Sequence, residues 1–77
     1  MNSVYTNEMR HAVRAVKNPT SLHFDVAQKD GKLFLLVDKS LFARLEAKDK
    51  RDFLAYLKDI LSIIRLGGAE VEVGWIG

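Results

Sequence analysis

Through "RDFLAYLKDILSIIRLGG", residues 51–68, apolar side chains recur every three or four positions. That is the spacing of a helix with one face turned away from water. With about 100° of turn per residue, Phe53, Leu54, Tyr56, Leu57, Ile60, Leu61, Ile63 and Ile64 fill about half the circumference. One small sheet needs a narrower stripe. The surplus at Tyr56 and Ile63 is expected to meet either the first helix of the same chain or a second subunit. Asp49, with Asp52 three residues on, reads as the start of this helix, and Gly67-Gly68 as its end.

Upstream, "SVYTNEMRHAVRAVKNP" places Tyr5, Met9, Ala12, Val13 and Val16 at helical spacing before Asn18-Pro19 stops the helix. The period then changes from helical to alternating. In "SLHFDVAQ", Leu22, Phe24 and Val26 alternate with polar residues, as in a half-buried strand. Asp30-Gly31 predicts a two-residue hairpin turn, because a type I′ turn needs positive φ at both central positions. "KLFLLVD" returns antiparallel, with Lys29 facing Lys32, Val26 facing Leu35 and Phe24 facing Val37. On the reverse face, Phe34 falls opposite Ala27, Leu36 opposite Asp25, and Asp38 opposite His23. A sheet back that faces water does not ordinarily carry Phe and Leu, so something is expected to cover it.

"DKSLFARLEA" predicts a short helix capped by Asp38 or Ser40. "AEVEVGWIG" predicts a last strand, with Val71, Val73 and Trp75 on one face and Glu70, Glu72 and Ile76 on the other. The expected fold is α+β, one small domain over residues 1–77 in the order α-β-β-α-α-β. Its three-stranded mixed sheet carries the helices on one face.

Seventy-seven residues bury a marginal core, so association with a partner is a natural expectation. The chain has no cysteine, which removes disulfides and thiolate metal sites. No apolar run reaches the length of a membrane span. The first ten residues lack the basic-then-apolar order of a secretory signal, and a cytoplasmic protein is expected.

Charge adds two basic ridges: Arg10, Arg14 and Lys17 on the first helix, and Arg51, Lys58 and Arg65 at seven-residue intervals on the long one. The order α-β-β-α-α-β is similar in topology to the type II KH fold, a nucleic-acid-binding family. That family's GxxG loop would fall at Ala47-Lys48-Asp49-Lys50, which has no glycine and adds a negative charge, so none of its binding residues carries over. Phe24 and Trp75 are expected to be buried, leaving Phe34 and Tyr56 as candidates for base stacking.

Catalytic and metal chemistry find little support. His11 and His23 are twelve residues apart on different elements. The pairing of His23 with Asp38, near Asp25, is an ordinary cross-strand contact. No metal-ligand motif or phosphate-cradling loop is present, so neither metal nor cofactor is expected. The function expected is therefore non-enzymatic: a protein–protein interaction or adaptor module, self-associating, with Phe34, Leu36, Tyr56, Ile63 and Ile76 in contact. The alternative is a small nucleic-acid-binding module that places the six ridge residues on phosphates.

Overall fold

Thr6 accepts a hydrogen bond from the Met9 amide at 3.2 Å, capping α1 (Asn7–Ala15) in the computed structural model, which describes residues 4–77. Glu8 in its first turn and Arg14 in its last both suit the helix dipole. Five elements follow: β1 (Asp25–Lys29), β2 (Lys32–Asp38), α2 (Lys39–Ala43), α3 (Ala47–Leu66) and β3 (Glu70–Ile76). The order is α-β-β-α-α-β, as expected.

Strand β2 lies at the centre of the sheet, antiparallel to β1 and parallel to β3. The hairpin has the predicted register, with Lys29 opposite Lys32 and Val26 opposite Leu35. Asp30 and Gly31 both have positive φ, 53° and 77°, as a type I′ turn requires.

The core occupies one side of the sheet only. Leu33, Leu35 and Val37 on the front of β2 are fully buried, together with Phe53, Ile60 and Ile64 of α3. Leu57 of α3, Met9 and Val13 of α1, Leu22 and Val71 complete this cluster.

The long helix ends in a Schellman motif. The Gly68 amide donates to the Arg65 carbonyl at 3.0 Å and the Ala69 amide to the Ile64 carbonyl at 3.3 Å. Gly68 takes the required positive φ of 92°. Gly67 serves a different need: a Cβ there would stand 2.5 Å from Met9 Cε, so its small size lets α1 close onto the end of α3.

Two boundaries and the burial of one residue differ from the sequence expectation. The first strand begins at Asp25, not near Ser21. Asn18 Nδ2 donates to the Leu22 carbonyl at 2.6 Å, and Thr20 Oγ1 accepts from the Leu22 amide at 3.2 Å. Leu22 thus enters the core from a side-chain-braced loop, its backbone satisfied without a strand partner. Consequently the ladder stops at Asp25–Leu36, and the Phe24–Val37 and His23–Asp38 pairings form no part of it.

At the start of α3, the cap is Glu46, which makes no side-chain cap bond. Asp49 lies inside the first turn, and Asp52 pairs with Lys48 at 2.9 Å rather than closing a capping box. That hydrogen-bonded carboxylate, above all, raises the Lys48 pKa.

Trp75, expected in the core, is 44% exposed. It lies on the edge strand, where the front face is met by the ring of Phe42, edge-on at 5.1 Å.

Candidate interaction face

Alternation along β2 divides its residues cleanly. Leu33, Leu35 and Val37 face the helices; Lys32, Phe34, Leu36 and Asp38 face the other way. Register then assigns the rest of that back face. Ala27 lies beside Phe34 and Asp25 beside Leu36 on one side; Glu72, Gly74 and Ile76 lie beside Phe34, Leu36 and Asp38 on the other. Along β2 the centre is apolar and the ends are charged; Asp25 and Glu72 flank that centre on either side, and Glu70 stands beside Lys32.

None of Phe34, Leu36 and Ile76 belongs to the core cluster or to the side chains packed against it. What shelter Phe34 and Leu36 have comes from the face itself. The Lys32 ammonium stands 5.8 Å from the Phe34 ring centroid and pairs with Glu72 at 3.0 Å. Leu36 lies low over Gly74, its Cδ2 3.0 Å from where a Cβ on residue 74 would be. Ile76 is 47% exposed.

The other two residues of the expected interface stand elsewhere. Tyr56 and Ile63 pack against the core on the flank of α3 that α1 covers. Ile63 shares a shallow depression with Met9 and Ala12, and Tyr56 one with Val16 and Pro19. Tyr56 also touches the rings of Phe24 and Phe53, each 6.0 Å away between centroids. Its burial there, with a smaller contribution from Tyr5, pushes the phenol pKa up. The five residues therefore occupy two separate places, and three of them make one surface.

The basic ridges are also separate. Arg51, Lys58 and Arg65 lie about half a turn around α3 from the flank that α1 covers. Arg65 Nη2 makes a long hydrogen bond, 3.4 Å, to the Val71 carbonyl. Lys17 is exposed beyond the end of α1. Arg10 stacks over the Tyr5 ring at 4.7 Å, and with Arg14 it borders an open groove of about 460 Å³ against Phe24 and Asp25. The four residues at the KH loop position are the first turn of α3, so no loop stands there to approach a nucleic-acid backbone.

Of the remaining candidates, His23 is exposed in the loop before β1. The Asp38 carboxylate accepts from the Leu41 amide at 3.0 Å, capping α2. Among the described residues, no three His, Asp or Glu side chains are grouped to hold a metal ion. No described helix is long and apolar enough to cross a membrane.

Gly74 is the contributor that sequence reading missed. Its role depends on the parallel β2–β3 register, which brings it beside Leu36 and which alternation within either strand does not reveal. No protein-family model matches this chain, and neither a curated protein nor a solved structure matches it.

Proposed function

We propose that this chain is a non-enzymatic association module whose contact surface is the uncovered back of its sheet. The observation that carries this reading is the position of Phe34 and Leu36. They alternate with the most deeply buried residues of β2, yet pack on no core. An antiparallel or mixed sheet with a solvated back normally places polar residues there. An apolar centre rimmed by charge is the composition of a protein interface. The placement of His11 on α1, His23 in the loop before β1 and Asp38 at the end of β2 supports the non-enzymatic part.

Leu36→Asp tests the reading. The variant should keep its far-UV circular dichroism and melt within a few degrees of the wild type, because it alters no core contact. At a concentration too low for association, the wild-type chain should bind an apolar dye on this face, and the variant should bind much less. Asp25 stands directly opposite and a second carboxylate there is itself destabilising, so Leu36→Lys is the control. A chain that unfolds with Lys as well as with Asp would place Leu36 in the core and overturn the reading.

A second reading has one observation in its favour: the groove bordered by Arg10, Arg14, Tyr5 and Phe24 suits an anionic ligand, including a single-stranded nucleic acid. Asp25 lies in the same groove and the other ridge faces away. Any oligonucleotide binding should therefore show a shallow logarithmic salt slope, about −2 or less in size. A slope several times steeper would favour the nucleic-acid module instead.

A further inference from the structure

We infer that the occupant of the sheet back is a second copy of this chain, turned end for end across a two-fold axis that crosses the strands. The inference rests on the reading of this face as a contact surface. Along β2 the face presents Lys32, Phe34, Leu36 and Asp38 in that order: basic, aromatic, aliphatic, acidic. That series is complementary to its own reversal. With two central strands stacked antiparallel, Lys32 meets Asp38 of the second copy, Phe34 meets Leu36, and each contact occurs twice. On the hairpin flank the charges agree, since Lys29 stands beside Lys32 and Asp25 beside Leu36. On the β3 flank Glu70 stands beside Lys32 and Glu72 beside Phe34, and the reversal sets them over Ile76 and Gly74 of the second copy, away from other carboxylates.

The other face-to-face arrangement has its axis along the strands. It gains a Lys29–Glu70 contact on each side, but it puts Lys32 against Lys32 and Asp38 against Asp38 on the central strand, where water is most excluded and like charges cost most. Both charged residues have capacity to spare. Lys32 carries three donors and gives one to Glu72. Asp38 uses Oδ1 for the Leu41 amide, leaving Oδ2. Gly74 keeps the apolar centre low, since Leu36 lies over it rather than being propped up by a side chain.

The size of the face places the contact among weak, transient ones. Three strands of up to seven residues make a footprint of about 14 by 23 Å. This is well short of the roughly 800 Å² per partner of a stable complex. The dimer should accordingly be weak and transient.

The experiment is a charge exchange read by sedimentation velocity over a concentration series. Wild type, Leu36→Asp, Lys32→Glu, Asp38→Lys and the double variant Lys32→Glu/Asp38→Lys are compared. Each single reversal should weaken dimerisation about tenfold, while the double variant, and an equimolar mixture of the two singles, should recover most of it. A wild-type chain that stays monomeric up to millimolar concentration overturns the inference, and so does a dimer unaffected by either reversal. Dimerisation that survives Leu36→Asp instead overturns the assignment of the face itself, so the two failures are distinguishable.

Asp38→Lys also removes the α2 cap and Lys32→Glu sets a carboxylate beside Glu70 and Glu72, so a second readout avoids both residues. The chain has no cysteine, so Phe34→Cys and Leu36→Cys each introduce a single thiol. A mixture of the two should cross-link with a short bis-maleimide faster than either alone. Faster linking of each variant to itself would indicate the axis along the strands and contradict the inference.

Discussion

Leu36 lies across the β2–β3 ladder from Gly74, with Cδ2 just 3.0 Å from the position a Cβ on residue 74 would take. The contact joins two strands far apart in sequence and sets the height of the apolar centre on the sheet back. A methyl group at residue 74 must push the Leu36 side chain outward by a few tenths of an ångström. Gly74→Ala also removes the entropic cost of glycine in a strand, worth about 0.5–1 kcal/mol. The two effects oppose each other, so thermal stability should change by less than about 1 kcal/mol, whereas association should weaken. Melting curves and sedimentation on the same sample check both.

Leu35 and Leu36 are neighbours in sequence with opposite surroundings. Leu35 is fully buried under α3, and Leu36 packs on nothing from the core. Leu35→Ala should cost about 2–5 kcal/mol through lost transfer energy and the cavity left behind. Leu36→Ala should cost less than about 1 kcal/mol in the monomer, since no enclosed cavity forms. Urea denaturation at low protein concentration measures both, and equal losses would mean that the sheet back is covered.

Gly67 and Met9 hold α1 against the end of α3, and a Cβ at residue 67 would stand 2.5 Å from Met9 Cε. The obstructing atom is the far end of a flexible side chain and Gly67 has ordinary helical φ, so Gly67→Ala should destabilise the chain by only about 1 kcal/mol, the low end of overpacking. In a Met9→Ala background the same change should cost markedly less, because the obstructing methyl is gone. A double-mutant cycle reads this coupling. Additive effects would mean that α1 does not close on Gly67.

Tyr56 makes stability depend on pH in the alkaline range. Its phenol pKa is raised above 10.0, first by burial and then by Tyr5. Ionisation is therefore easier in the unfolded chain, and above pH 10 the unfolded state binds fewer protons. The contribution of Tyr56 is complete below that pH and is lost as pH rises through the folded-state value. Melting temperature followed from pH 9 upward should fall less steeply in Tyr56→Phe than in wild type, and identical slopes would contradict the assignment.

Much of this fold is written locally, and the errors follow from what is not. The hairpin was legible because Asp30-Gly31 leaves the backbone few alternatives to a type I′ turn. Helix α3 was legible in type and in its glycine end, but its start was misplaced from Glu46 to Asp49. A rule that searches for side-chain caps cannot find one that lacks a cap bond. The false beginning of β1 arose because Leu22 and Phe24 continue the alternation, while Asn18 and Thr20 satisfy the backbone of Leu22 inside a loop. Trp75 lies on the front face, as alternation predicted, but alternation says nothing about how far the helices extend over an edge strand.

The candidate face was half legible. Phe34 and Leu36 stood out as apolar residues on the wrong side of a strand. Tyr56 and Ile63 stood out equally, and only the packing of α1 beside α3 separates the two pairs. The part played by Gly74 depends on a parallel register between segments more than thirty residues apart, set by the core as a whole.

The central claim is that the back of the sheet is where this chain associates. Amide chemical shifts recorded as a labelled sample is diluted from millimolar to micromolar concentration test it most directly. The account predicts shifts concentrated at Ala27, Phe34, Leu36, Gly74 and Ile76, with α1 and the exposed side of α3 unchanged. Shifts gathered instead on α1, α3 or the outer edge of β3, or a spectrum indifferent to dilution, would contradict it.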